Sequence, residues 1–546
     1  MQIRNMTCSR HLPSALVFLA VLMVLAAYPS AALSVGEIGD MAIRPAPAPP
    51  TLPAAGGKFA DPTYGTQILR VTDRRDGAQA YHAYSSWTAF NSNSTRFFIW
   101  VEGVWTLYNF DPVNFTSTKV GPIMPAAGGV PGLNLETAQW HPTNPDVLYA
   151  ISPDTQTRKI YSYNVVSKQA ALVYDFTKIA PLGGYTFYLS SSGDGRYLSF
   201  VSSTTGGQDT GDFIVVFDTQ TQTVYKKNTL QEWGIKTIHA AFLDKSGTYA
   251  WVSHGGDPLV SIWNFKTNTV EPLYNNLADS PVGHSIRGSG VGINAYWSGG
   301  KLISRNLATP HTYSPVAEWP LRNGRINWQT DFHTSWNNTQ SQFFFWDNIF
   351  LSQVTGWQLH SGAIYKRTAF TSNSLTVLPP EGVYHNGRTL KKSEVLPTGP
   401  GQWRYDAATD TLYVWLFNNA DARSSSNVIV PFAWWPYDEE IVQVWIDDPT
   451  NLSKFRRLAH HHSHWWSTDS YLDSPRVSSD RSGQFVMWTS NWGGSPNRDV
   501  FILRVPSTPT NPTPPAEPAP IPAPTPAPPP EGPTGPLPAP SQLKVK

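Results

Sequence analysis

The chain has a single cysteine in 546 residues, Cys8, and it falls in a segment that reads as removable. The mature protein is therefore expected to have no disulfide, no thiolate metal site and no cysteine nucleophile. Charge is scarce as well: Asp, Glu, Lys and Arg make up 14% of the residues and nearly cancel, leaving a formal net charge of +1. Loss of Arg4 and Arg10 with the leader, which carries no acid, turns that balance to −1. A near-neutral chain without basic runs argues against nucleic acid as a partner. After residue 32 no stretch is long and apolar enough to span a bilayer. A Gly-rich phosphate loop, a nucleophile elbow and an HExxH motif are all absent. A Ser-His-Asp peptidase would need an α/β-hydrolase domain, for which there is no pattern.

What is present is aromatic. Phe, Trp and Tyr supply 13% of the chain, with 22 Trp. Low charge with many aromatics suits extended β-structure, where most Trp would pack between sheets, and it also suits surfaces that face sugars. Residues 1–32 read as a secretory signal: Arg4, Arg10 and His11 precede the run LPSALVFLAVLMVLAA, and Ser30, Ala31 and Ala32 offer small residues for cleavage. The mature protein is expected to be secreted, periplasmic or extracellular, with no membrane association after cleavage. Residues 33–58 form a Pro- and Ala-rich leader.

From there the chain repeats itself. In residues 458–506 a polar turn (SSDRSG) leads to an apolar strand (QFVMWTSN), a Gly-rich turn (WGGSPN) and a second strand (DVFILRV). This is hairpin grammar. It recurs about every 40–50 residues, the period of β-propeller blades. The turns GDG, KSG and RSG fall at matching places in the third, fourth and seventh repeats. The fold expected is all-β, a propeller of six to eight blades with seven counted. The strand TQILRVTD at residues 66–73 is expected to complete the last blade and so remove two exposed edges.

The sixth repeat is interrupted. Residues 59–357 and 433–506 read as the two parts of the propeller, with residues 358–432 as an inserted β-module between them. The insert's segments EGVYHNGRTL and GPGQWRYDAATDTLYV resemble a module of secreted right-handed β-helix proteins that act on glycans. Residues 507–546 form a Pro-rich tail without a core, ending in SQLKVK, which resembles the first strand of a fibronectin-type domain.

The candidates for chemistry are histidines. His239 (TIHAAF), His284 (VGHSIRG) and His333 (DFHTSW) stand at the inner strands of successive repeats, which would bring them to one mouth of the central channel. Neutral imidazoles around an axis can hold a divalent metal, or one can act as general base near neutral pH. The alternative is that each bonds to a neighbouring strand. His254 lies in a turn of the fourth repeat. The run His460, His461, His462, Ser463, His464 reads either as an exposed loop or as a metal tract.

These segments resemble the oligogalacturonate lyases, seven-bladed propellers that cleave pectin fragments by β-elimination with a divalent metal. The resemblance covers roughly 250 residues, broken by the insert, and is carried by VSHGGDPLVSIWNF, VGHSIRG, DFHTSWN and LAHHHSHWWSTDSYLDSPRVSSDRSG. It implies a base role for His284, a metal-ligand role for His333, and Mn or Ca as the metal. The family's last-blade ligands follow a Q-x-x-H-x-H pattern, where this chain has Asp469, Leu472 and Ser474. Leu472 cannot bind a metal, so His462, His464, Asp469 and Asp473 are the substitutes. The family's substrate-binding arginine falls at about Ser261, and Arg287 is the nearest replacement. His239 and His254 are the expected substrate-binding residues. The expected function is recognition or processing of a polysaccharide or oligosaccharide, as a β-elimination lyase on a uronate-containing chain. The alternative is a non-catalytic propeller that binds glycan or protein.

Overall fold

A computed structural model describes residues 43–506 apart from short internal stretches, the longest being 124–137, 319–329 and 446–454. The expected signal segment and Pro-rich tail lie outside the described residues.

The hairpin grammar of the sequence becomes seven antiparallel sheets, each walked strand by strand by the chain. The third is representative. Tyr185–Ser191, Tyr197–Ser203, Phe213–Asp218 and Val224–Asn228 follow in order, each paired with the last. Both faces of its two middle strands are buried, so apolar residues run continuously rather than alternating. The first, second, fourth and fifth sheets have the same order, and their inner strands are Ala80–Tyr81, Ala138–Trp140, Ile238–Leu243 and Val282–Arg287.

The sixth sheet pairs Thr330–Ser335 and Gln342–Ile349 with Glu440–Trp445 and Phe455–His460. Strands from the intervening residues form two further sheets. One has five strands, including Gln402–Asp406 and Thr411–Trp415; the other joins Gly382–His385 to Ile429–Phe432. They share a core of their own around Trp357, Phe370, Val383, Trp403 and Leu412.

The seventh sheet is made from both ends of the chain. Ser478–Ser479, Phe485–Ser490 and Asp499–Arg504 are continued by Gln67–Arg70 and Lys58–Ala60. Ile68 lies opposite Leu503 and Leu69 opposite Ile502, and all four are buried. Arg70 adds an ion pair with Asp499 at 2.6 Å. The expected closing strand is therefore in place.

All seven inner strands are the first in their sheets and run in one direction, and the turns that follow them line one shared cavity. Seven such sheets around one axis make the fold a β-propeller. The turns in GDG, KSG and RSG each place their last glycine in the left-handed region: Gly195 at φ 77°, Gly247 at 63° and Gly483 at 72°. That conformation is cheap only without a Cβ.

Candidate functional site

The inner strands are irregular where the histidines fall. In the fourth sheet the register slips between Ile238 and Ala240, at His239. In the fifth it slips between Val282 and Ile286, a segment that contains His284. The third slips between Phe187 and Ser190, and Tyr188 there has φ 58°. A bulge inserts an unpaired residue and re-aims its side chain, and bulges concentrate beside functional sites. His239 is half-buried. The sixth inner strand keeps its register, with His333 opposite Trp346, and it packs beside the fifth. Of His284, Arg287 and His333 the structure describes the backbone only. Their side chains, and Asp469 altogether, lie outside the described residues.

His254 is also in the fourth sheet, at the end of Tyr249–His254, and it is buried. Its Nδ1 lies 3.1 Å from the Thr237 carbonyl and its Nε2 lies 3.0 Å from the Ser261 hydroxyl. Both ring nitrogens are spent within the sheet. Burial pushes its pKa down to about 4, the Thr237 carbonyl only partly offsetting it. Here the alternative of a histidine bonded to its neighbouring strand describes what is seen.

One pair escaped the sequence reading. His82 follows the first inner strand and is fully buried, with Nδ1 3.0 Å from the Thr489 hydroxyl. Its Nε2 meets the carbonyl of Arg476, which has φ 50° and precedes the seventh inner strand. The Arg476 guanidinium lies 5.9 Å from the Tyr81 ring centroid. The pair ties the start of the first sheet to the start of the seventh. The available signal was position: His82 stands at the inner strand of its repeat as His239 and His284 stand in theirs.

The histidine run is not an exposed loop. His460, His461, His462 and His464 are all buried. The run leaves the sixth sheet at its outermost strand and passes under the N-terminal segment. The His460 amide donates to Asp61 at 2.8 Å, and its Nδ1 lies 3.5 Å from the same oxygen. Glu440 takes the Tyr64 hydroxyl at 2.7 Å and Arg457 at 3.2 Å. His464 Nε2 lies 3.4 Å from Glu439, and Asn491 both donates to the His464 carbonyl and accepts its amide. His462 packs its ring against Trp492, with centroids 4.6 Å apart. The Tyr384 ring, from the inserted sheets, approaches His464 at 5.1 Å.

Burial alone would push these groups toward their neutral forms. Burial raises Glu439, but His464, His461 and His462 outweigh it and hold its pKa at about 2. Burial lowers His460, but Asp61 and Glu440 outweigh it and raise it above the ordinary histidine range. Burial dominates at His462 and brings it to about 3. Asp473 pairs with Arg498 at 2.5 Å.

The expected metal set of His333, His462, His464, Asp469 and Asp473 can be tested only in part. His464 is spent on Glu439, Asp473 on Arg498, and His462 faces Trp492. Among the described residues no three His, Cys, Asp or Glu side chains converge in a way that could hold a metal ion. The described part of the set does not fit a metal, and no chemistry is derived through one. Among the described residues no helix is long and apolar enough to cross a membrane.

No family model matches the chain, and no curated protein does. Among solved structures it is similar to an oligogalacturonate lyase from Vibrio parahaemolyticus, at 11% identity and TM-score 0.47, covering 82% of this chain and 96% of that one. An oligogalacturonate lyase in complex with manganese matches at 12% identity and TM-score 0.34, over 84% and 98% of the two chains. TolB from Acinetobacter baumannii matches at 16% identity and TM-score 0.29, over 46% and 56%. With every TM-score below 0.5, the propeller assignment rests on the strand order and the shared cavity.

Proposed function

We propose that this propeller engages an acidic polysaccharide at the histidine-bearing end of its channel and cleaves it by β-elimination. The observation that carries the reading is the pair of bulges at His239 and in the segment of His284, on neighbouring inner strands, with His333 on the next. Bulges at the same depth in adjacent sheets serve no ladder; they re-aim residues toward a common axis.

In the proposed reaction His284, as the neutral imidazole, takes the proton from C5 of a uronate. The electrons of that C–H bond form the C4=C5 double bond. The C4–O bond breaks, and the leaving oxygen takes a proton from the site, for which half-buried His239 is the nearest described candidate. Arg287, three residues beyond His284, neutralises the uronate carboxylate. That lowers the cost of charge building up at C5 in the transition state.

The test is the ultraviolet absorbance of the conjugated double bond, followed on pectate and its oligomers, ulvan, alginate and glycosaminoglycans. A rise on one substrate that disappears in His284→Ala, with the variant still folded, supports the reading. Silence from folded wild-type protein across the panel sinks it. The second reading, a glycan-binding scaffold without catalysis, is favoured by one observation: His254, His464 and Asp473 are each spent on protein partners. Glycan binding that persists without turnover would support it.

A further inference from the structure

The channel has a second mouth, at the opposite ends of the inner strands, and the structure describes it well. There the turns after all seven inner strands enclose a cavity of about 320 Å³. That lies at the lower end of the range for small-molecule sites. We propose that it is a binding site for a small, hydroxyl-bearing carboxylate, of the class of a single sugar acid.

The chemistry of the wall points to this ligand. The second residue of the fourth turn is Lys245, and the second residue of the seventh turn is Arg481. Both are half-buried at the cavity, and His141 joins them from the second turn. No Asp or Glu lines the space. The carboxylates of these turns are used elsewhere. Asp244 accepts the amides of Ser246, Thr248, Tyr249 and Gly290. Asp480 accepts the Ser94 and Ser482 hydroxyls and the Phe485 amide. A cavity with cations and no acid favours an anion, and a partly desolvated wall strengthens that preference. Much of the remaining wall is hydroxyl and amide, including Ser92, Ser289 and Asn337. Such groups match sugar hydroxyls rather than an apolar ligand.

The wall is also held rigid. Gly193 donates to the Lys245 carbonyl at 2.9 Å, and Lys245 donates to the Gly288 carbonyl at 2.9 Å. Thr339 donates to the Arg481 carbonyl at 3.0 Å, and Asn91 donates to the Pro145 carbonyl at 2.9 Å. Successive turns are thus tied sheet to sheet through backbone atoms. The cations are carried on a preformed frame, so little ordering is needed on binding. Because the frame uses the main chain of Lys245 and Arg481, replacing their side chains leaves these ties intact.

This site lies at the other end of the channel from His284 and does not depend on the lyase reading. The experiment is calorimetric titration of the full chain with galacturonate, galactose and sulfate. Galacturonate is expected to bind, with galactose at least about tenfold weaker. Lys245→Gln and Arg481→Gln should each weaken galacturonate by about tenfold at unchanged melting temperature. His284→Ala should leave it unchanged. No galacturonate binding, equal binding of galactose, or indifference to both cation substitutions overturns the proposal. Sulfate binding as tightly as galacturonate would overturn the sugar-acid assignment and leave a general anion site.

Discussion

The Tyr64 hydroxyl donates to Glu440 at 2.7 Å, across 376 residues of sequence, and both groups are buried. The contact fastens the loop between the two N-terminal strands of the seventh sheet to the end of the sixth. Arg457 shares the same oxygen. Tyr64→Phe keeps the ring and removes the donor, leaving a buried carboxylate one hydrogen bond short. The expected cost is about 1–3 kcal/mol of unfolding free energy, read by denaturant titration. An unchanged midpoint would show that the hydroxyl does not hold the junction.

Leu69 is fully buried in the closing strand and lies opposite Ile502. Leu69→Ala removes packing at the seam where the ring is sealed. The expected loss is about 2–5 kcal/mol, with a lower melting temperature. Loss of cooperative unfolding, with the seventh sheet exchanging amide hydrogens ahead of the others, would be the accompanying signature.

Gly247 has φ 63°, and a Cβ there would lie 2.8 Å from the Tyr197 ring and 3.0 Å from Ser192 Cβ. Gly234 has φ 72° with nothing within 4 Å. Gly234→Ala should therefore cost only the backbone strain, about 1–2 kcal/mol, and Gly247→Ala clearly more. Equal losses would mean that the third and fourth turns can separate without penalty.

Two buried histidines predict how stability depends on pH. Burial lowers His82 to about 3, with the Arg476 carbonyl opposing, and lowers His254 to about 4. The unfolded chain holds both near about 6.5, so below that pH it binds protons that the folded chain refuses. Their contribution is full above about 6.5 and is lost as pH falls toward the folded values, at about 1.4 kcal/mol per pH unit for each group. Unfolding free energies measured from pH about 7 down to about 4.5 should fall, and His254→Gln should flatten the slope. A flat wild-type profile would contradict the burial of these rings as neutral imidazoles.

The propeller was legible because its signals are local. Turns such as KSG need a left-handed glycine at one place, and an apolar strand buried on both faces needs no partner to be recognised. The seam was legible for a related reason: the strand at residues 66–73 had no hairpin mate nearby. The fate of the histidine run was not legible. Whether HHHSH lies in water or in the core depends on Asp61, Glu439 and Glu440, and on Trp492, none of which adjoins it in sequence. The bulges at His239 and His284 were hidden as well. They are differences of register between two strands, and no residue in either strand announces them.

Sealing the ring through Gln67–Arg70 and Asp499–Arg504 has a consequence in time. The seam joins segments more than 400 residues apart, so it cannot form until nearly the whole chain is available. Until then the strand that carries Leu69 has no permanent mate. Contacts of such separation slow folding, because the chain must be brought together before they repay the cost. The intermediate is an open arc with two unsatisfied edges, each able to pair with another copy. Refolding should therefore become less efficient as protein concentration rises, with yield lost to association between arcs.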